Sequence, residues 1–413
     1  MPRPRHATLA TIALILGGVA IGTTEFVTMG LLPEIASGVG VSIPSAGHTI
    51  SAYAAGVVLG APLLAVLGAT WPRKALLIGL MAAFTVGNVL SALAPDYALL
   101  VGARFLAGLP HGAFFGVAAL VAVDLARRGQ AGRAVGRVML GIPIANVLGV
   151  PGATWLGQSS GWRSAYWLVA LIGLTTMALI AYAVPHLPAD RSRTVRNELS
   201  ALTSLQVWLT LGVGAVGFGG MFAMYSYIAP TVTEVTRLPA SAVPLFLLVF
   251  GASGLVGNVL AGRMGDWSVI RSIVIGLAGL GVSLGLFAIA APYAVPALLV
   301  LALTSVLASV LVINLQLRLM QVAGSAQTLA AASNHAALNL ANALGAWIGG
   351  VVIAAGYGYQ APSVVGAGLA ALGLLILGIS LLVHRRDHPD RATLRPAGPV
   401  DAPTDPEVSA RVS

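Results

Sequence analysis

The sequence predicts an all-α membrane protein with twelve transmembrane helices in two six-helix, pseudo-symmetric halves. Of its 413 residues, 57% are hydrophobic and only 8% are charged, whereas soluble domains carry about 25% charged residues. Apolar runs of about 20 residues recur along the chain, and each is long enough to cross ~30 Å of hydrocarbon as a helix. Barrel strands would be about half as long and would alternate. The predicted spans are 8–32, 46–67, 75–94, 97–122, 134–156, 163–185, 205–229, 241–262, 270–291, 295–317, 325–354 and 363–383.

The basic residues predict the orientation of these spans. If the N-terminus is cytoplasmic, the basic residues of the loops and tails fall on the cytoplasmic side except Arg163 and Arg237, and Arg104 lies within a span. Cytoplasmic loops of membrane proteins carry this excess of Arg and Lys. Both termini are therefore expected in the cytoplasm. The first span is too long for a signal peptide and is expected to be retained.

The first span contains Glu25, in the stretch GTTEFVTMGLLPEIA, and no other acidic residue lies within a predicted span. A carboxylate inside a membrane costs about 2.5 kcal/mol or more, which makes Glu25 a functional candidate. Arg104 in the fourth span is predicted at a similar depth, about 10 Å from the same surface. The two residues form either a permanent structural ion pair or an exchangeable pair that takes and releases a proton as water gains access from alternate sides.

His111 lies in the fourth span on the same helical face as Arg104. It either extends a proton path from Glu25 or is a hydrogen-bonded core histidine.

An internal repeat divides the chain, because the register that aligns Pro33 with Pro230 also aligns Lys74 with Arg271. In transporters built from two such repeats, the substrate site lies at the interface. The predicted organisation is an N-terminal half at 1–185, a cytoplasmic linker at 186–204, a C-terminal half at 205–383 and a disordered tail at 384–413.

The loop GRMGDWSVIR, residues 262–271, resembles the loop signature of the major facilitator superfamily, with Asp266 and Arg271 in place. The first copy, AVLGATWPRK, keeps Arg73 and Lys74 but has alanines, Ala65 and Ala69, at the glycine and aspartate positions. The resemblance implies that these polar residues hold neighbouring helices together during conformational change. Arg73 and Lys74 could instead only anchor the topology.

Two further stretches extend the resemblance. ARFLAGLPHGAFFGVAA, residues 103–119, resembles the fourth-helix signature around a buried arginine, and GIPIANVLGVPGATWLG, residues 141–157, resembles the fifth-helix signature of drug:proton antiporters. In the latter stretch, close helix approach and bending are expected at Gly141, Gly149, Pro151 and Gly152. The chain is most similar to the twelve-helix antiporter group of actinobacterial chloramphenicol-resistance and bacterial arabinose efflux permeases. This resemblance implies proton-coupled export across a bacterial inner membrane.

Polar and aromatic side chains within the spans are candidates for substrate contact. His335, Asn339 and Asn342 form one stripe of the eleventh span, which faces either the cavity or a neighbouring helix. The remaining candidates are Phe26, Met29, Tyr53, Asn146, Phe222, Tyr225 and Tyr227, each of which could equally be ordinary packing.

Other functional classes lack their motifs. The chain has no cysteine, which excludes disulfides and thiol chemistry. Its one lysine, Lys74, follows Arg73 rather than the glycine that a phosphate-binding GxxxxGK[ST] loop requires, so that loop is excluded. No nucleophile motif, cofactor site or metal site is predicted, and the basic residues are too dispersed for nucleic acid. We therefore expect a monomeric, proton-coupled exporter of small amphipathic compounds such as chloramphenicol-like drugs or sugar derivatives. The alternatives are a proton-coupled importer of a sugar or small metabolite and a non-transporting receptor or scaffold.

Overall fold

The computed structural model describes residues 4–68, 71–126, 131–185, 204–323 and 327–387. All regular secondary structure in these ranges is helical. Ala69, most of the predicted linker (186–203) and residues 388–413 of the predicted tail lie outside the described residues.

The helices follow the predicted spans, and we number them in chain order. They are α1 (Pro4–Gly30), α2 (Ile43–Gly68), α3 (Arg73–Leu93), α4 (Tyr97–Gly108 and His111–Leu125), α5 (Ala131–Met139, Gly141–Ile144, Ala145–Gly149 and Val150–Ser160), α6 (Arg163–Ala183), α7 (Leu205–Gly212, Val213–Gly217 and Gly219–Tyr225), α8 and α9 (the parts of Val243–Ala290 before and after Ser268), α10 (Ala294–Val322), α11 (Gln327–Val352) and α12 (Ala361–Asp387).

Short helical segments connect these numbered helices at Leu32–Gly38, Ile228–Pro230, Thr231–Val235, Ala240–Ala242 and Ile353–Tyr357. By length and composition, 10 segments of the described chain are able to span a membrane. One of them, Ala240–Ala290, contains two predicted spans, and α2 is a further apolar helix of 26 residues.

Three predicted boundaries differ from the structure. The helix passes through the predicted loop at 263–269 and is interrupted only at Ser268, whose backbone is extended (φ −172°, ψ 112°). The Ser268 hydroxyl accepts a hydrogen bond from the Arg271 amide at 3.4 Å, as at a helix start. α12 continues to Asp387 rather than ending near Val383.

The third difference concerns Arg318, which was predicted in a cytoplasmic loop. It lies within α10 and is only 8% exposed. The long apolar stem of arginine allows such burial, because it packs like a hydrocarbon chain. Neighbouring Leu315 and Leu319 are fully buried, so the packing of α10 continues past the predicted end of the span.

α5 changes its helical winding near Pro151. The segment Ala145–Gly149 is a π-helical turn that ends two residues before this proline. Proline lacks the amide proton for the regular helical hydrogen bond, and a wider turn accommodates this loss.

Glycines bring α5 against α1. A Cβ atom at Gly141 would lie 2.6 Å from the Gly18 Cα atom, and one at Gly149 would overlap the Thr23 hydroxyl. A Cβ atom at Gly152 would meet nothing within 4 Å, so the expectation of close approach at Gly152 is wrong. This residue is exposed on the outer face of α5.

The two ends of the bundle differ in their polar contacts. We name them the Arg73 end, where α1 begins, and the Tyr227 end, where α1 finishes. At the Arg73 end, Arg73 forms an ion pair with Asp124 of α4, and Lys74 Nζ donates to the Ala181 carbonyl of α6 at 2.6 Å. These contacts tie α3 to two neighbouring helices.

At the Tyr227 end, α1–α6 (the N-terminal half) contact α7–α12 (the C-terminal half). Ser51 Oγ donates to the Ala343 carbonyl at 3.0 Å, and Gln158 Nε2 donates to the Ala240 carbonyl at 2.9 Å. One hydrophobic core contains buried residues from both halves, including Met29 and Tyr227. The two halves are therefore packed together at the Tyr227 end in this conformation.

Candidate transport cavity

A cavity of about 230 Å³ lies between the two halves. α1, α4 and α5 line one side, and α7, α8, α10 and α11 line the other. Its lining residues are Glu25, Phe26, His111, Ile142, Pro143, Asn146, Phe218, Met221, Phe222, Phe250, Gly251, Gly254, Leu255, Asn258, Ser305, Ala308, Ser309, Val312, His335, Leu338 and Asn339. This is an apolar cavity with a few polar groups, the usual composition of a small-molecule site.

Glu25 is the charged residue among those that line this cavity. α1 carries it at a position that is only 6% exposed. The amide of Asn342 on α11 lies near the carboxyl group, although neither polar atom of that amide meets hydrogen-bond geometry. Glu25 therefore faces the interface between the halves, and its carboxyl group lies close enough to Asn342 of the C-terminal half to interact with it electrostatically.

Arg104 is held inside the N-terminal half. Its side chain is fully buried, and it donates to the Thr24 hydroxyl at 2.9 Å and to the Thr24 carbonyl at 3.0 Å. Its guanidinium lies 4.4 Å from the Tyr53 ring centre and 5.4 Å from that of Tyr166. The Thr24 hydroxyl donates onward to Asn88 Oδ1 at 2.5 Å. Arg104 thus connects α4 to α1, α2, α3 and α6.

The predicted direct pairing of Glu25 with Arg104 does not occur in this conformation. In the described part of the chain the recorded ion pair joins Arg73 and Asp124. Successive helix residues point about 100° apart, so Thr24 faces Arg104 while Glu25 faces the cavity. The guanidinium still acts on the Glu25 carboxyl through space. A permanent ion pair is therefore not what fixes α1 against α4; the hydrogen bonds of Thr24 do so.

His111 lines the cavity and is 1% exposed. Its Nδ1 atom lies 3.2 Å from the Tyr53 hydroxyl, whereas its Nε2 atom has no hydrogen-bond partner among the described residues. The Phe115 ring lies 5.5 Å from the His111 ring and stacks on the His335 ring at 6.3 Å. His111, Phe115 and His335 therefore join the two halves beside the cavity.

An aromatic surface covers another part of the cavity. Phe26 of α1 lies parallel to Phe222 of α7 at 6.4 Å, and Phe222 packs edge-on against Phe218 at 5.3 Å. Tyr225 stacks on Phe250 at 4.1 Å. Such offset and edge-on arrangements are the favoured geometries of aromatic rings. The surface suits an apolar or aromatic ligand.

The structure places only some of the candidate substrate residues at the cavity. Phe26, Asn146, Phe222, His335 and Asn339 line it. The candidates outside this lining are Met29, Tyr53, Tyr225 and Tyr227, all of which are buried in packed helices.

Each of these four has a packing role. Tyr227 donates to the Ala346 carbonyl at 2.8 Å, and the Tyr225 ring stacks on the ring of the lining residue Phe250. Tyr53 binds His111, and Met29 belongs to the shared core.

Sequence reasoning missed the polar residues of α8 and α10. Asn258, Ser305 and Ser309 line the cavity. Ser305 and Ser309 are four residues apart in a run that is apolar except for these serines and Thr304, and this helical spacing was the available signal. Both hydroxyls donate to carbonyls of α8, at 2.6 and 3.1 Å, so they also hold these helices together.

The second copy of the loop signature has fewer contacts than the first. The Arg271 guanidinium lies 5.2 Å from the Trp267 ring centre, and Asp266 is exposed with no recorded partner in the described ranges. A conformational role for Asp266 and Arg271 stays a prediction.

A cavity between two helical halves, with one buried acid in a largely apolar lining, is typical of a membrane transport protein. Residues 14–336 match the model of the Major Facilitator Superfamily. The chain belongs to this family.

Relatives support the same assignment. The chain is 41% identical to the inner membrane transport protein YdhP of Escherichia coli strain K12, over 89% of this chain and 95% of that one. It is 33% identical to a chloramphenicol resistance protein of Streptomyces lividans, over 93% and 96%. A crystal structure of a D-xylose-proton symporter superposes with a TM-score of 0.69 at 19% identity, over 88% and 97%, and shows the shared fold.

Proposed function

We propose that this protein is a proton-coupled exporter that exchanges protons for small amphipathic molecules across a bacterial inner membrane. The observation that carries the proposal is Glu25, a buried carboxyl group on the lining of the cavity between the halves. Because the sequence has no phosphate-binding GxxxxGK[ST] loop, transport must draw its energy from a gradient or a partner. A carboxyl group in the cavity can take a proton from one side and release it to the other.

The surroundings of Glu25 favour a role in coupling. Its neighbours belong to both halves: Arg104 acts on it from α4, and Asn342 lies near it on α11. When the halves move, the distance from the carboxyl group to Asn342 changes, whereas Arg104 stays bound to Thr24 on the same helix as Glu25. The affinity of Glu25 for a proton therefore depends on conformation, as coupling requires.

The conformation fits the step at which an exporter takes up its substrate. With the basic Arg73 end in the cytoplasm, the packed Tyr227 end faces outward, and this conformation is closed to the outside. A cytoplasmic substrate would enter while the Tyr227 end is closed. Glu25 would then take up a proton from the outside in the other state, in which the Tyr227 end is open.

The apolar lining favours an amphipathic substrate over a sugar, which needs more polar partners. The relative named for chloramphenicol resistance suggests chloramphenicol as a first compound to test. One chain encloses the whole cavity, so a monomer is sufficient.

The test uses inside-out membrane vesicles whose lumen is acidified by respiration and reported by a quenched dye. Chloramphenicol and a panel of amphipathic compounds are added to wild type and to Glu25→Gln. We expect substrate to release the quench in wild type, because protons leave the lumen in exchange, and to have no such effect in Glu25→Gln. No release with any compound would contradict exchange, and an unchanged release in Glu25→Gln would remove Glu25 from the coupling.

A further inference from the structure

Two buried atoms on the cavity lining have no hydrogen-bond partner among the described residues. They are Nε2 of His111, on a residue 1% exposed, and Oδ1 of Asn339, on a residue 4% exposed. Buried polar atoms are nearly always paired in proteins, and an unpaired one costs about 1–3 kcal/mol. Because both residues line the cavity, a ligand can supply the missing partners.

The hydrogen bond on the other side of the His111 ring determines what Nε2 offers. The Tyr53 hydroxyl lies 3.2 Å from Nδ1, which is its recorded partner in the described chain. Either tautomer of His111 fits this distance, and we assign the one in which the more acidic phenol donates to Nδ1, which leaves the proton of the neutral imidazole on Nε2. His111 therefore presents an N–H donor to the cavity.

The Asn339 side chain is fixed in the same way. Its Nδ2 atom donates to the His335 carbonyl at 3.0 Å, and a carbonyl accepts only from the NH₂ group. Oδ1 is the remaining atom and points away from this bond. Asn339 therefore presents an acceptor to the same cavity.

One donor and one acceptor, beside the aromatic surface of Phe26, Phe218 and Phe222, define a ligand class. We propose that the cavity binds neutral aromatic compounds that carry a hydroxyl or an N–H-bearing amide group, which accepts from His111 Nε2 and donates to Asn339 Oδ1. An ether or ester lacks the donor, and an ammonium group lacks the acceptor. A site built to pair a ligand hydroxyl discriminates strongly against an analogue without it.

This inference rests on the proposed function only for the direction of transport, because binding can be measured without a gradient. The test is a ligand-observed NMR titration of the purified full chain in detergent with three probes. The probes are phenylpropanol, its methyl ether and phenylpropylammonium. We expect the alcohol to bind about tenfold more tightly than its methyl ether. Because the Glu25 carboxyl group also lines the cavity and can pair with an ammonium, the alcohol and the ammonium are compared in Glu25→Gln, where we expect the alcohol to bind more tightly.

Two variants on α11 separate recognition from cavity shape. Asn339→Leu removes the acceptor, and we expect the preference for the alcohol over the ether to disappear. Leu338→Ala alters an apolar lining residue one position away, and we expect it to weaken both probes while the preference stays.

Equal binding of alcohol and ether to wild type, tighter binding of the ammonium than of the alcohol to Glu25→Gln, or binding of none of the probes would overturn the ligand class. A preference retained in Asn339→Leu would do the same, and the wild-type comparison decides even if that variant does not fold. Selective alcohol binding without a proton signal in vesicles would instead contradict only the proposed export.

Discussion

The two halves contribute different chemistry to the same cavity. The N-terminal half supplies the carboxyl group of Glu25 and, behind it, the buried guanidinium of Arg104. In the described chain, the C-terminal half lines the cavity with rings, amides and hydroxyls and adds no acid or arginine. We expect proton binding to depend on the N-terminal half, whereas both halves contact the substrate and most of the lining residues belong to the C-terminal half. Substitutions on the two sides should then have different consequences.

The largest effect is expected from Arg104→Met. Loss of the guanidinium removes two buried hydrogen bonds to Thr24 and the contacts with the Tyr53 and Tyr166 rings, and we expect a loss of about 2–4 kcal/mol of stability. A thermal melt in detergent measures it.

The matched control is Arg163→Met, because Arg163 also donates to a carbonyl, that of Ala94 at 2.9 Å, but is only partly buried. Equal losses of stability in the two variants would show that the buried contacts of Arg104 do not stabilise the N-terminal half more than those of Arg163.

The next effect concerns the C-terminal side. Phe222→Ala removes a ring from the aromatic surface, and we expect substrate affinity to fall about tenfold. The number of protons exchanged per substrate should not change, since Phe222 is not titratable. Transport kinetics measure the substrate affinity, and vesicle proton flux measures the number of protons exchanged per substrate. An altered proton number at unchanged affinity would contradict this prediction.

A third substitution lies where the two halves meet. A Cβ atom at Gly251 of α8 would overlap the Asn146 carbonyl oxygen of α5. We expect Gly251→Ala to disfavour the closed Tyr227 end by about 1–3 kcal/mol, because backbone moves less easily than a side chain.

The chain has no cysteine, so spin labels at Ser42→Cys and Tyr357→Cys report the distance between the halves at the Tyr227 end. We expect a longer distance in Gly251→Ala. The control is Gly152→Ala, where a Cβ atom meets nothing within 4 Å. The same distance in both variants would show that this contact does not hold the halves together.

The smallest effect is expected at Glu34, outside the spans in the short helix Leu32–Gly38. Burial raises the pKa of this carboxyl group above its usual value, and the nearby Gln158 side chain lowers it by less. A raised pKa in the folded state means that stability is highest below the unfolded pKa of about 4.3 and falls as pH rises through the folded pKa.

Glu34→Gln should therefore raise the melting temperature at pH values above that range and leave it nearly unchanged at lower pH. Melting curves across a pH series measure the effect. A variant that is less stable than wild type at neutral pH would reverse the predicted sign.

The fold was largely predictable, because a membrane span needs a long apolar run whatever its partners are. The boundaries that differed lie where packing extends a helix beyond that run, as at Arg318, or continues it through a polar loop, as at Ser268.

The site was predictable only in part. Glu25, His111, His335 and Asn339 were identified as polar residues in apolar spans. The partner of Arg104 was not identified. Thr24 and Glu25 are consecutive residues that point about 100° apart on α1, and the apolar pattern does not show which of them faces Arg104. For Tyr53 and Tyr225 the sequence left cavity contact and ordinary packing open. In the structure they pack against the lining residues His111 and Phe250, and sequence spacing does not distinguish a lining residue from one packed against it.

We propose that Glu25 carries the proton, whereas most of the substrate contacts lie on the C-terminal half across the cavity. The most direct measurement compares two modes of transport by Glu25→Gln in vesicles: exchange of labelled for unlabelled substrate without a gradient, and accumulation driven by a proton gradient. We predict that exchange persists and accumulation is lost. Loss of both would make Glu25 a structural or substrate-binding residue, and retention of both would assign proton coupling to another group.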